Sequence, residues 1–220
     1  MALDLKSYEQ GVRDYWREIG CRSREVQKRE SIFAELAHKF ANRKPAHFTR
    51  EDLVLILEWK HTDARWRDRA LDGLKQVADD RLLSLTRPVD GRDLDYLLPW
   101  FRGAISGVGI ASISAVLTAA RPDRFSVIDE FALRAVDFHY HPSWTRRDKS
   151  RKFIQDEKTY IEFVKFCRER GAELTRQTGK LWTPRDIEMA LWPSARNWTS
   201  SVKEYGGVLQ LQAKQQVPHG

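Results

Sequence analysis

Residues Leu97 to Arg134 read LLPWFRGAISGVGIASISAVLTAARPDRFSVIDEFALR, and the glycines in the middle decide how the flanks are understood. Apolar residues up to about Ala104 predict a first helix. Ser106-Gly107-Val108-Gly109 follows, and then Ile110, Ile113, Val116, Leu117 and Ala120 recur at helical spacing. The pattern predicts helix, tight glycine hairpin, helix. Glycines at 107 and 109 permit left-handed dihedrals and put no Cβ in the way of a close neighbour. The first N–H groups of the second helix have no partner within that helix. Such a corner suits a phosphate, with Gly107, Val108, Gly109, Ile110 and Ala111 as the contacting residues.

Downstream, Pro122 breaks the second helix and Phe125-Ser126-Val127-Ile128 reads as a short extended apolar link. Asp129 then heads a new helix through Phe131, Leu133 and Val136. An acid at a helix start is also an ordinary N-cap, and on that reading Asp129 only caps the helix over 130–138. Taken with the hairpin, the spacing L-x-G-V-G-x-x-x-A, apolar helix, P-x-x-F-x-V-x-D-x-x-x-x-R resembles the helix-hairpin-helix DNA glycosylases. This is the superfamily of endonuclease III, MutY, AlkA and 8-oxoguanine glycosylase. The motif covers about 40 of the 220 residues; the flanks match only in helical character.

The resemblance implies an all-α fold of helical bundles flanking a central cleft, with one glycosylase unit over 1–195 and a tail over 196–220. It implies that Asp129 is the catalytic carboxylate. Bifunctional members carry a Schiff-base Lys just after the hairpin, 18 positions before the Asp, and that position here is Ala111. Water is therefore the expected nucleophile, and the implied activity is monofunctional: a base is flipped from the duplex, its N-glycosidic bond is hydrolysed, and an abasic site remains. The implied partner is double-stranded DNA carrying a modified base. No cofactor is implied beyond a monovalent cation shared by hairpin carbonyls. Alkylated purines suit an aromatic pocket such as the eight tryptophans permit. A hypermodified base, for example a glycosylated cytosine of phage DNA, is the other substrate class, so base excision repair and phage defence both stay open. Two other functions stay open as well: a helix-hairpin-helix module that holds DNA without chemistry, and an abasic-site lyase working through a displaced Lys.

Composition narrows the classes. A chain of this length buries a sizeable core without a metal or disulfide. Cys21 and Cys167 are the only cysteines, too few for the iron–sulfur cluster of endonuclease III and MutY or for a thiolate zinc site. The opening MALDLKSYEQ has no apolar secretory core, and no run of about 18 apolar residues could span a bilayer. A cytoplasmic protein that is monomeric and free of membrane is expected. Net charge is +7, which favours polyanionic partners. Most of the excess lies between His139 and Arg185, where 12 Lys or Arg face 6 Asp or Glu. Within it, Arg146, Arg147 and Lys149 follow Trp144 and suit phosphate contacts, or equally a solvated linker.

The flanks read as helices. Tyr8, Val12, Tyr15, Trp16 and Ile19 form one face and Ile32, Phe33, Leu36, Ala37 and Phe40 the next, within residues 4–41. Thr49 to Asp52 resembles a capping box opening a helix from Leu53 to His61. Its end, Glu58-Trp59-Lys60-His61, carries groups that read bases by stacking and hydrogen bonding, so Trp59 and Lys60 are candidates for a base pocket. Trp59 as a core anchor and Lys60 snorkelling to solvent is the plainer alternative. Lys60 is also the displaced amine of the lyase reading. A further helix is predicted from about Asp63 to Asp79, then a turn at Arg87 to Gly91, then the first arm of the hairpin with Trp100 as another pocket candidate. His139 and Tyr140 are read as pocket wall or phosphate contacts; His139-x-His141 lacks a third ligand, so no metal is expected. Asp156 to Arg170 is a helix that Gly171 is predicted to end, and Thr183-Pro184 starts another through Ile187, Met189, Ala190, Leu191 and Trp192.

Overall fold

The computed structural model describes residues 2–195 except 22, 23, 62 and 151, with the backbone alone for 24–30. The predicted tail over 196–220 lies outside the described residues. Apart from one isolated antiparallel bridge between Arg147 and Phe153, regular structure among them is helical. In chain order the helices are α1 (Leu5–Gly20), α2 (Arg24–Asn42), α3 (Arg50–Lys60), α4 (Ala64–Lys75), α5 (Asp79–Thr86), α6 (Leu94–Phe101), α7 (Ile110–Ala120), α8 (Glu130–Tyr140) and α9 (Glu157–Thr178), followed by α10 over 184–195. No helix is long and apolar enough to cross a membrane among the described residues.

The centre of the molecule is α7. Every residue from Ser112 to Ala120 is buried, as expected of a helix apolar on all sides. It packs against α2, α3 and α9. Two of its polar side chains are satisfied locally: Ser114 Oγ donates to Ala111 O (2.7 Å) and Thr118 Oγ1 to Ser114 O (2.7 Å). The link after it is equally buried, with Phe125, Ser126, Val127 and Ile128 all at 0–1% exposure.

The local chemistry of the termini explains the helix boundaries. At α3, Thr49 and Asp52 make the reciprocal capping box, Asp52 N to Thr49 Oγ1 and Thr49 N to Asp52 Oδ2. Thr183 and Asp186 repeat it at α10, at 3.1 Å and 2.8 Å.

Three boundaries depart from the sequence reading. The helix expected over Asp63–Asp79 ends at Lys75 and α5 restarts at Asp79, because the Arg50 guanidinium takes the end carbonyls Leu74 O (2.6 Å) and Val77 O and pairs with Asp79. A cation thus does for α4's C-terminus what a further helical turn would have done. The first arm of the hairpin stops at Phe101 rather than near Ala104, since Gly103 turns left-handed at φ +68°. Gly171 does not end α9 but is buried inside it, where the Trp182 carbonyl approaches too closely for any side chain; the helix runs to Thr178 and stops at Gly179, φ +70°.

The hairpin rests on α4. A Cβ at Gly73 would stand 1.8 Å from Ser106 O, and one at Gly107, where φ is +77°, would meet Arg69 O at 2.8 Å. At Gly109 nothing lies within 4 Å of that position. Gly73→Ala is therefore expected to cost about 2 kcal/mol or more in urea denaturation, because backbone must move to admit the methyl. Gly109→Ala, with ordinary dihedrals and open space, is expected to change stability by less than about 1 kcal/mol.

Candidate active site

The carboxylate of Asp129 stands where the buried link emerges and α8 begins. Its backbone is extended (φ −145°, ψ 172°) and its Oδ1 accepts from Ala132 N at 2.8 Å, so it is the N-cap that the sequence admits. The cap uses one oxygen. The residue is only half-buried, and no other hydrogen bond from a described residue reaches the carboxylate.

Ile128, just before it, is clamped from two sides. Its N–H donates to Ser114 Oγ in α7 at 3.1 Å, and its carbonyl accepts from Lys60 Nζ at the end of α3 at 2.9 Å. The Lys60 side chain thus turns inward instead of snorkelling to solvent. Burial pushes its amine below the ordinary lysine range; the charges of Asp129 and Glu188 oppose that shift and Arg185 adds to it.

Those last two residues come from α10. Arg185 and Glu188 form an ion pair with side chains 7% and 3% exposed, and Arg185 Nη2 also donates to Tyr15 Oη of α1 at 3.0 Å. The guanidinium lies 5.1 Å from the Phe33 ring centroid and 5.6 Å from that of Trp59, while Trp59 meets Phe33 edge-on at 4.4 Å. The end of α3 therefore lies in the field of Arg185 and Glu188 from α10 and of Asp129 at the head of α8. The cluster holds two cations and two carboxylates, balanced as burial requires.

His61, the next residue, links the same corner to the hairpin helix: its Nε2 and Ser112 Oγ are 2.8 Å apart. Burial, and then the Lys60 charge, push His61 below the ordinary imidazole range, which keeps the ring neutral. The hairpin itself closes through Val108 N to Ile105 O at 3.2 Å. Gly109 caps α7 without a side chain, and the N–H groups of Gly109, Ile110 and Ala111 make no bond to a described residue.

Other expected site residues lie elsewhere. Trp100 donates its Nε1 to Leu85 O at 3.2 Å and lines a separate shallow cavity of about 210 Å³ with Arg81, Ser84, Leu85 and Pro99. Tyr140 is three turns of α8 beyond Asp129, roughly 16 Å along its axis, where its hydroxyl meets Tyr8 Oη at 2.8 Å and its ring meets Phe166 at 4.9 Å. His139 packs edge-on between Phe138 and Tyr140 at the same end. Of the basic loop, Arg146 is bound to Asp156 (2.6 Å) and Thr159 (3.1 Å), and Arg147 to Asp137 (2.9 Å) with its guanidinium 3.9 Å from the Phe153 ring centroid. Lys149 alone of the three projects from an exposed turn without an ion pair.

Sequence reasoning passed over Arg185, Glu188, Tyr15, Ser112 and Ser114. Their signals were present but faint: an Arg-x-x-Glu pair inside an apolar helix, and serines one turn into a helix otherwise made of Ile, Val, Leu and Ala. It also passed over Arg65 and Arg69, which are exposed on α4 beside the hairpin, Arg65 with its guanidinium 5.0 Å from the exposed Trp66 ring. Breaking the buried pair tests how far this cluster depends on charge balance. Glu188→Gln leaves Arg185 buried beside Lys60 without its carboxylate, and is expected to lower stability by about 3–5 kcal/mol in chemical denaturation. No protein-family model, curated protein or solved structure matches the chain.

Proposed function

We propose that the protein is a monofunctional DNA glycosylase of the helix-hairpin-helix type, with Asp129 as its catalytic residue. One observation carries the reading. Lys60 at the end of α3 and its C-cap His61 join the Asp129 segment to the hairpin helix, Lys60 through Ile128 and His61 through Ser112, which supports a hairpin and a half-buried carboxylate acting together.

In the proposed reaction the N–H groups of Gly109, Ile110 and Ala111 bind a phosphate beside the target nucleotide, and Arg65 and Arg69 on α4 add phosphate contacts. Lys149 extends the contact area; Arg146 and Arg147 shape their loop through ion pairs of their own. Flipping the nucleotide exposes its glycosidic bond at a cost of a few kcal/mol, least for a weakly paired or modified base. Bond cleavage develops positive charge on the sugar. The Asp129 carboxylate stabilises that charge and orients or deprotonates the attacking water. With Ala111 in place of an amine, no Schiff base forms there and an abasic site is left.

The substrate classes are alkylated and hypermodified bases, the latter including glycosylated cytosine. Base release is measured from duplexes bearing alkylated, oxidised, deaminated and glycosylated bases, with alkali added to reveal abasic sites. Strand breaks are expected only after alkali, and Asp129→Asn is expected to lower their rate by at least about 100-fold while leaving duplex binding intact. Equal binding by both proteins with no release from any substrate would favour a DNA-holding module in which Asp129 is only a cap.

A further inference from the structure

Asp129 makes one hydrogen bond of its own to a described residue, and that bond lies within its own helix. What fixes the carboxylate relative to the hairpin is the residue before it. Ile128 is wholly buried, with both its backbone polar groups held by side chains, Ser114 from α7 and Lys60 from α3. Ser114 in turn donates to Ala111 O in the first turn of α7. The same turn carries Ser112, bonded to His61 next to Lys60. These four bonds close a loop through α3, the hairpin helix and the Asp129 segment.

We propose that Lys60 is the positioning residue for Asp129: by holding the Ile128 carbonyl it sets the carboxylate against the hairpin, and it acts through that carboxylate rather than as a nucleophile. The catalytic half of this inference rests on the glycosylase reading; the mechanical half stands on geometry alone. An ammonium is a costly way to satisfy one carbonyl, because a buried charge demands counter-charges. Here it has them in Asp129 and Glu188, with Arg185 paired to Glu188 and a neutral His61 adjacent. A simple hydroxyl would satisfy the carbonyl without calling for the α10 pair. The ammonium also places a positive charge beside the working carboxylate, which a hydroxyl cannot do. Its Nζ is committed to Ile128 O, a poor posture for attack on a sugar.

The test uses Lys60→Met, which keeps the chain length and removes the charge, and Ser114→Ala, which opens the clamp from the other side should Lys60→Met fail to fold. Hydrogen–deuterium exchange of the Ile128 and Ala132 amides is expected to quicken by about tenfold or more in either variant, with α7 and α9 unchanged. In the base-release assay kcat is expected to fall by at least about tenfold while duplex affinity stays within about twofold, since misplacing a catalytic group costs rate and not binding. Unchanged amide exchange overturns the clamp whether or not the protein releases a base. Faster exchange with unchanged kcat in an active enzyme overturns its catalytic role. A borohydride-trapped adduct formed by wild type and lost in Lys60→Met overturns the positioning role in favour of a nucleophile. If wild type releases no base at all, the glycosylase reading fails, and amide exchange alone decides the clamp.

Discussion

A half-buried lysine ammonium, turned inward and hydrogen-bonded to the carbonyl of Ile128, is the constraint around which the candidate site is arranged. Removing such a charge from water costs several kcal/mol, so the interior must offer carboxylates close by. Asp129 and Glu188 are those carboxylates, and each brings a constraint of its own. Glu188 is shared with Arg185, which needs Tyr15 and the faces of Phe33 and Trp59 to be accommodated. Asp129 must stay at the mouth of α8, where its cap bond holds it. One buried charge thereby couples the beginning of the chain, the central helices and the last described helix.

The architecture serves that coupling. α7 is apolar on every face and can only be central, and the buried link that follows it returns along it until Ile128 meets Ser114. The glycine hairpin lets α6 and α7 reverse on the surface of α4, with contacts at Gly73 and Gly107 that no side chain could enter. The open space at Gly109 and the N–H groups of residues 109–111, which have no partner among the described residues, lie at the start of α7. In the proposed function, this is why a phosphate and a sugar from neighbouring parts of one strand can meet the hairpin and the carboxylate together.

How much of this could be read from the sequence depends on the range of the interaction. The capping box at Thr49, the helix start at Thr183, the hairpin, and the cap at Asp129 are local, made by residues within a few positions of one another, and they were legible. The α4–α5 break was not, because its cause is Arg50, an arginine from the preceding helix reaching two carbonyls. Gly171 read as a helix end, although its smallness serves a carbonyl from the chain that returns past it. The direction of Lys60 depends on Ile128, 68 residues away, and the pairing of Arg185 with Tyr15 spans 170. Aromatic and basic residues were the least reliable signs: Trp100, Tyr140, Arg146 and Arg147 have the composition of a nucleic-acid site, yet each is engaged within the fold. Side-chain type says what a residue can recognise; only the fold says whether another part of the chain has already taken it.

The central claim is that the hairpin and Asp129 work on one strand of DNA together. Its most direct measurement is a crystal structure of the protein bound to a duplex that carries a pyrrolidine in place of one sugar, a cationic mimic of the charge developed in glycosidic cleavage. A glycosylase of the proposed kind holds the ring nitrogen within hydrogen-bond distance of the Asp129 carboxylate, and a neighbouring phosphate on the N–H groups of Gly109 to Ala111. A duplex bound on another face, with Asp129 remote from the pyrrolidine, would contradict it.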